Sequence, residues 1–226
     1  MKIRIWSDFA CPFCYIGETS LLRAAAELGL TDIDLEFKAF ELDPSMPEGF
    51  TEPAPAHFMR VAGLSYEHAM GRIAKVSRFA RMAGLDFNYA NAMYCRTLDA
   101  HRLVKYTEAV GHARVQNVVQ RLFAAFFTCG LDISDREVLA SIAAHEGLDP
   151  AKVREMLRST AYTEEVRSDE AEARLLGLDT VPYTFIDSCQ PVRGSLSVDG
   201  FKKVLTAAAD APANSSHICG PDGCLL

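Results

Sequence analysis

Two cysteines separated by two residues could perform thiol–disulfide exchange in this chain. They belong to the sequence Cys11-Pro12-Phe13-Cys14, which follows a short apolar segment at residues 3–6. A cysteine at a helix start meets unpaired backbone N–H groups and the positive end of the helix dipole, which can lower the pKa of a thiol from about 8.5 to about 3.5–7.5. Because the two cysteines lie about one helical turn apart, the second thiol could resolve a mixed disulfide formed by the first.

The role of this pair must be inferred from the secondary structure around it, because the same spacing also occurs in zinc sites and structural disulfides. Residues 3–6 and 33–37 alternate between apolar and charged side chains and are predicted strands. Between them, residues 12–28 carry apolar side chains at helical spacing, and Gly29 suits the end of that helix. This order predicts a parallel strand pair joined by a helix that begins at the cysteines, which is the setting of a redox pair.

A helical region is predicted to interrupt this unit between residues 55 and 177. A proline-rich connection precedes it, and apolar residues then recur at i, i+3, i+4 and i+7, most clearly at residues 115–127. Ser134 with Glu137 is typical of a capping box, and Asp149 followed by a proline is typical of a helix start. The chain therefore contains several helices in its middle.

The C-terminal third returns to strand-like sequence. Residues 180–186 are β-rich and contain Pro182, a turn follows, and residues 191–193 form a second short predicted strand. An amphipathic helix is predicted at about residues 198–209, with Ser197 as its N-cap. Strands at both ends with helices between them predict an α/β protein.

The composition narrows the class of protein. With 226 residues and 49% hydrophobic content, the chain can bury a large core without disulfides. A net charge of −7 with no run of basic residues argues against a nucleic-acid partner or an anionic membrane surface. No segment approaches the roughly 20 apolar residues that span a membrane. Seven cysteines cannot form a closed set of disulfides, so we expect a reducing, cytoplasmic location, and we assign no cofactor.

Five motifs resemble one known family. Three of them resemble motifs of the DsbA-like thioredoxin superfamily: residues 11–17 (CPFCYIG) after the first strand, residues 40–44 (FELDP) after the second, and Val181-Pro182 before the third. Within that superfamily, residues 99–103 (DAHRL) and 127–135 are similar to the FrnE-type group. The resemblance covers nearly the whole chain.

The resemblance implies a thioredoxin fold with a large all-helical insertion domain. Residues 1–54 and 178–211 would form the thioredoxin-like domain, and residues 55–177 the insertion. Residues 212–226 would form a flexible tail. Pro182 would be the cis-proline of the fold.

The same resemblance implies different roles for the two cysteines. Cys11 would carry the attack, so its sulfur must be ionised and reachable, and Cys14 would lie buried behind it and resolve the mixed disulfide. Strongly oxidising periplasmic relatives have a histidine in the spacer, so the phenylalanine here implies a less oxidising pair. A cis bond at position 182 would expose backbone beside Cys11 for pairing with an extended substrate. The implied substrate-binding residues are Pro12, Phe13, Val181 and Pro182.

A second cysteine pair lies near the C-terminus. Cys219 and Cys224 flank a Pro-Asp-Gly turn, which can bring two Cα atoms within the roughly 4.4–6.8 Å that a disulfide needs. A similar tail recurs among FrnE-type proteins, so this pair is a candidate auxiliary redox site that exchanges with the first pair; the alternative is a tail without function. Together with His217 it could also bind a metal, as could the two cysteine pairs jointly, although we assign no metal ligand.

Three functional hypotheses remain, and a thiol–disulfide oxidoreductase is preferred. It would act on disulfide-containing proteins or small thiols, with disulfide isomerisation as a further activity. The first alternative is a glutathione-dependent isomerase or transferase of the kappa or 2-hydroxychromene-2-carboxylate isomerase type, whose members generally have serine in place of Cys11. Two cysteines favour redox chemistry, because a glutathione-activating site needs one hydroxyl and no resolving thiol. The second alternative is a metal-binding or interaction protein; the sequence does not indicate an oligomeric state.

The remaining cysteines and histidines receive no catalytic role. Cys95 and Cys129 fall in predicted helical segments and are expected in the core. Cys189 lies in a predicted hairpin turn, where a surface thiol is expected. His57 shows no carboxylate partner in the sequence, and His101 is interpreted as an ordinary helix residue.

Overall fold

The chain forms six strands and nine α-helices in the computed structural model, which describes residues 1–187 and 189–210. The strands are β1 (Lys2–Ser7), β2 (Asp34–Ala39), β3 (Glu52–Pro53), β4 (Met93–Tyr94), β5 (Tyr183–Ile186) and β6 (Val192–Arg193). The helices are α1 (Pro12–Glu27), α2 (Ala54–Ala62), α3 (Tyr66–Met82), α4 (Leu98–Gly111), α5 (Val115–Phe127), α6 (Arg136–His145), α7 (Pro150–Arg158), α8 (Thr163–Leu175) and α9 (Val198–Asp210). Of the helices described, none has the length and apolar character needed to cross a bilayer. The predicted α/β class is confirmed.

The larger sheet has the strand order β2-β1-β5-β6. β1 pairs in parallel with β2 and antiparallel with β5, which in turn pairs antiparallel with β6. β1 is central because its apolar side chains are buried, with Ile3, Ile5 and Trp6 at most 2% exposed. The predicted parallel pair with a helical crossover is confirmed, and β1 delivers the chain to the cysteines at its C-terminal end.

Helix α1 begins at the cysteine pair. Cys11 is its N-cap with an extended backbone, and Pro12 takes the first helical position, where a missing N–H costs no hydrogen bond. The helix ends at Glu27, and Gly29 adopts a left-handed conformation just beyond it (φ 68°). α1 packs against α9, and the two helices cover an apolar cluster that contains Ile3, Ile5, Leu21, Phe201 and Leu205.

The predicted helical insertion is confirmed by α2 to α8, which lie between β2 and β5. The amphipathic pattern at residues 115–127 corresponds to α5. Its core is continuous with that of the sheet, since Phe9 beyond β1 stacks on Phe37 of β2 and contacts Phe123 of α5. β4 lies inside the region and pairs antiparallel with β3, which lies just before residue 55. The sequence did not indicate this pair, because two-residue strands leave no alternating pattern. The insertion therefore shares a core with the unit that holds the cysteines.

One predicted helix start is wrong by a residue. Asp135, and not Ser134, caps α6, because its carboxylate accepts a hydrogen bond from the N–H of Glu137 (2.8 Å). The Ser134 hydroxyl instead donates to the carboxylate of Asp132 (2.6 Å). The predicted start at Asp149 is confirmed, since its carboxylate accepts from the first turn of α7.

A buried ionic cluster joins the sheet to the helices. The carboxylate of Asp169 on α8 is within 3.1 Å of the ammonium groups of Lys38 on β2 and Lys105 on α4. It also accepts a hydrogen bond from the N–H of Ala39 (3.0 Å), and the Trp6 indole donates to the Asp169 carbonyl (3.0 Å). Asp169 is 5% exposed, so these interactions are shielded from water and hold β1, β2, α4 and α8 together.

Candidate active site

The cysteine pair lies at the junction between β1 and α1. The Cys11 N–H donates to the Asp8 carbonyl (3.0 Å), and the Cys14 N–H donates to the Cys11 carbonyl (3.1 Å). As the N-cap, Cys11 places its side chain beside the unpaired N–H groups of the first helical turn. Cys11 is 5% exposed and Cys14 1%. Both cysteines are therefore buried, with Cys11 slightly more accessible than Cys14, so the sulfur that the sequence analysis expected to be reachable has little exposed surface.

Cys14 is a buried thiol with a raised pKa, as a resolving cysteine would be. Burial raises the pKa of the Cys14 thiol, and its contact with Cys11 raises that pKa further. The N–H of Asp8 lies 3.5 Å from the Cys14 sulfur and is directed at it. Cys14 thus stays protonated in the free protein, directly behind the sulfur at the helix start.

The loop before β5 closes the other side of Cys11. The Val181–Pro182 peptide bond is cis, as the resemblance implied. The Cys11 thiol contacts the Val181 carbonyl oxygen at 3.6 Å. Gly17 of α1 allows this loop to approach, because a Cβ there would lie 3.4 Å from Pro182 and 3.2 Å from Ser195. The structure therefore brings together Cys11, Cys14, Val181 and Pro182 at one place.

Phe13 extends outward from the pair. Its side chain is 39% exposed, and its ring lies 6.5 Å from that of Phe79 on α3. Pro12, in contrast, is half-buried at the first position of α1. Of the two spacer residues, Phe13 is the one that forms a surface next to the sulfurs.

A buried polar cluster lies behind the pair and was missed by the sequence reasoning. The Asp8 carboxylate accepts hydrogen bonds from the N–H groups of Leu42 (2.7 Å) and Ala10 (3.3 Å), and the His101 ring nitrogen Nε2 lies 3.4 Å from it. Glu41 is buried beside this cluster, and burial raises its pKa even though it pairs with Arg167. His101 is thus more than an ordinary helix residue. The available signal was that Glu41 and His101 both fall in motifs of the family resemblance.

Two tyrosines of the helical insertion face the site. The hydroxyls of Tyr89 and Tyr94 lie 2.8 Å apart and are buried. Burial raises the pKa of both hydroxyls, and the hydrogen bond between them lowers the pKa of Tyr89 and raises that of Tyr94. Both tyrosines belong to the same buried cluster as Cys11. His57 stacks on Tyr94 at 3.8 Å and bonds the Glu52 carboxylate at 2.9 Å. The expectation that His57 lacks a carboxylate partner is therefore wrong, because the turn from β3 into α2 places Glu52 beside His57.

The other cysteines fall in three different environments. Cys95 is buried, as predicted, although it precedes α4 and does not lie within a helix. Cys129 is exposed, so its predicted core position is wrong; it follows the end of α5 in a turn closed by Gly130 (φ 66°). Cys189 is half-buried. Cys219 and Cys224 lie outside the described residues, as does His217, and among residues 1–187 and 189–210 no three potential ligands converge to hold a metal ion.

Glu18 is a buried carboxyl group one helical turn beyond Cys14. It is 3% exposed, and one of its oxygens accepts a hydrogen bond from the amide of Gln120 on α5 (3.0 Å). Burial raises the pKa of Glu18 to about 7, although the hydrogen bond from Gln120 acts to lower it. Between pH 4.5 and 7 the folded chain therefore binds a proton that the unfolded chain has released, and this group makes folding less favourable as the pH rises.

We expect Glu18→Gln to remove this pH dependence, because the amide keeps the acceptor for Gln120 and carries no charge. The free-energy difference between variant and wild type should be near zero at pH 4.5 and favour the variant by on the order of 3 kcal/mol at pH 8. Urea unfolding at both pH values measures it, with exposed Glu155→Gln on α7 as the control. An equal difference at both pH values would contradict the assignment.

Comparisons with known proteins agree with this geometry. The sequence model of the DSBA-like thioredoxin domain matches residues 2–206. The crystal structure of the probable DsbA oxidoreductase SCO1869 from Streptomyces coelicolor is 30% identical, with a TM-score of 0.88, and the match covers 100% of this chain and 99% of that one. YwbO from Bacillus subtilis, described as uncharacterized, is 24% identical over 91% of this chain and 96% of its own length.

A more distant structure has the same fold. The cytosolic disulfide reductase DsbM from Pseudomonas aeruginosa, solved with GSH, is 19% identical with a TM-score of 0.64 over 92% of this chain and 99% of that one. The narrower FrnE-type assignment stays a prediction. The family match over residues 2–206 and the 30%-identical structure over the full length establish that this chain belongs to the DSBA-like thioredoxin domain family.

Proposed function

We propose that this protein is a thiol–disulfide oxidoreductase in which Cys11 is the nucleophile and Cys14 the resolving thiol. The observation that carries the proposal is the placement of the two sulfurs. Cys11 lies at the positive end of α1, beside the Val181 carbonyl, and Cys14 is buried behind it with a raised pKa. The first position presents Cys11 to a substrate at the start of α1, and the second keeps Cys14 a buried thiol behind it until the mixed disulfide is resolved.

The exchange proceeds in two balanced steps. The Cys11 thiolate attacks one sulfur of a substrate disulfide, an S–S bond forms as the substrate S–S bond breaks, and the expelled thiolate takes up a proton. Cys14 then loses its proton and attacks the Cys11 sulfur, which releases the second substrate thiol and leaves a Cys11–Cys14 disulfide. The substrate gains two electrons and the protein loses two. The reverse sequence oxidises a substrate dithiol, and repeated capture and release would isomerise disulfides.

The surrounding residues have distinct roles in this proposal. The Val181 backbone and Pro182 would align an extended substrate beside Cys11, as the resemblance implies, and Phe13 would contact it from the other side. Pro12 would fix the first turn of α1 and so the direction of the Cys11 side chain. Asp8 would hold the loop that carries both cysteines, because its N–H meets Cys14 and its carboxylate is anchored to Leu42.

The substrates would be disulfide-containing proteins or small thiols in the cytoplasm. The odd number of cysteines supports a reducing compartment, and the name of the cytosolic disulfide reductase DsbM agrees with it. We keep as predictions the division into residues 1–54 with 178–211, residues 55–177 and residues 212–226, and the auxiliary role of Cys219 and Cys224. A glutathione-dependent isomerase is less well supported, because its reaction would not use the buried thiol of Cys14.

The assay that tests this function is the reduction of insulin by dithiothreitol, followed by the turbidity of the released chains. We expect the protein to accelerate it, and we expect no activity toward 2-hydroxychromene-2-carboxylate with glutathione. Glutathione-dependent isomerisation without insulin reduction would overturn the proposed function.

A further inference from the structure

Helix α3 carries a series of cations beside the redox pair. Arg72, Lys75, Arg78 and Arg81 recur at every third position, all four are exposed, and Glu67 is the only acidic residue of the helix. The chain as a whole has a net charge of −7. The helix is therefore a local excess of positive charge on an acidic protein.

These four cations are not neutralised by the fold. Within residues 1–187 and 189–210, none of them has a carboxylate oxygen within 4 Å, whereas Arg60, Arg154 and Arg167 each pair with a glutamate. Like charges at i, i+3 spacing repel one another on a helix surface. An approaching anionic group would relieve this repulsion and meet no competing carboxylate from the same surface.

Three of the cations share a side of α3 with two exposed apolar side chains. Successive helical residues are rotated by about 100°, so these five side chains fall within one sector of about 120° around the axis of α3. We name this set the α3 stripe. Phe79 is 44% exposed and Met82 76%, so both offer apolar surface beside the cations. The α3 stripe consists of Arg72, Lys75, Arg78, Phe79 and Met82.

The α3 stripe adjoins the cysteine pair at Phe79. Phe13, which separates them, contacts Phe79 with a ring distance of 6.5 Å. From Arg72 to Met82 the stripe is about 15 Å long, which equals about five residues of extended polypeptide. A chain bound at Cys11 could therefore continue along Phe13 onto α3.

We propose that the α3 stripe docks the polypeptide that exchanges with Cys11 and Cys14, and that this polypeptide carries acidic and apolar side chains within about five residues of its cysteine. The inference rests on the proposed function and names its substrate class. Carboxylates would meet Lys75 and Arg78, and apolar side chains would cover Phe13 and Phe79. Because these charges are exposed, the main effect is on the rate of association, and salt weakens it.

The test is a single-turnover reaction of the reduced full-length protein with peptides activated as mixed disulfides with thionitrobenzoate. Attack of Cys11 on the peptide sulfur expels coloured thionitrobenzoate, and Cys14 then releases the peptide thiol. Two peptides share one leucine-containing sequence and differ in having glutamate or lysine beside the cysteine. Oxidised glutathione, a small anionic disulfide, is the third reactant. Lys75→Glu with Arg78→Glu is the test variant, and Lys152→Glu with Arg158→Glu on α7 is the control with the same change in charge.

We expect the acidic peptide to react about tenfold faster than the basic one at low salt, and the difference to shrink at high salt. The α3 variant should lose or reverse the preference, while the α7 variant keeps it. Equal rates for both peptides, equal effects of the two variants, or a stripe effect confined to oxidised glutathione would overturn the docking proposal and leave the proposed function intact. Absence of reaction with every disulfide would instead overturn the proposed function itself.

Discussion

Replacing Cys11 by serine is expected to lower insulin reduction by at least about a thousandfold. A serine hydroxyl at this position is not ionised near neutral pH and cannot form a disulfide, so the first bond of the exchange is never made. Serine has nearly the size of cysteine, and the contacts that hold the loop come from the backbone of residue 11 and from Asp8, so the fold should persist. Circular dichroism and urea unfolding would verify that persistence.

The matched variant at the second cysteine should behave differently. Cys14→Ser keeps the nucleophile but lacks the resolving thiol, so turnover falls while a mixed disulfide with the substrate accumulates. Cys189→Ser is the control, because Cys189 is half-buried and has no assigned role, and its rate should equal that of the wild type. A Cys11→Ser variant that keeps a rate within a few-fold of the wild type would remove Cys11 from the mechanism.

The second large effect is expected from Asp169→Asn. The substitution removes the buried negative charge between Lys38 and Lys105 and replaces one acceptor oxygen by an N–H donor, so the free energy of unfolding should fall by about 3 kcal/mol. The carboxylates that remain near the two lysines belong to Glu36, Glu108 and Glu172, which are each more exposed than Asp169. The residue joins β2, α4 and α8, so its loss should lower the urea midpoint of the whole chain and not of one part.

A neighbouring carboxylate provides the control for this prediction. Glu172 also pairs with Lys38, and with Arg4, but its side chain is 37% exposed. Glu172→Gln should therefore cost less than about 1 kcal/mol, because solvent screens an exposed ion pair. Equal losses of stability in the two variants would show that burial does not set the strength of the cluster.

The cysteine pair and its supporting elements could be predicted because their signals are local. Alternating side chains mark β1, and Cys11 with Pro12 marks the start of α1. Two errors also have local causes. Asp135 outcompetes Ser134 as the cap of α6 because Asp132 already binds the serine, and Cys129 lies beyond the last turn of α5.

The polar surroundings of the site could not be predicted, because they depend on contacts between residues far apart in the sequence. Asp8 and His101 meet only after α4 packs behind the loop that carries the cysteines. Tyr89 and Tyr94 likewise reach the neighbourhood of Cys11 only when the helical insertion shares its core with the sheet. No alternation or helical spacing encodes such pairs. The pattern predicts which residues react but not what surrounds them.

The most direct measurement is to identify the residue that captures a substrate. The Cys14→Ser protein would be treated with one equivalent of a peptide disulfide, digested without reductant and mapped by mass spectrometry. We expect a single peptide adduct on Cys11. An adduct on another cysteine, with Cys11 left as a free thiol, would contradict it.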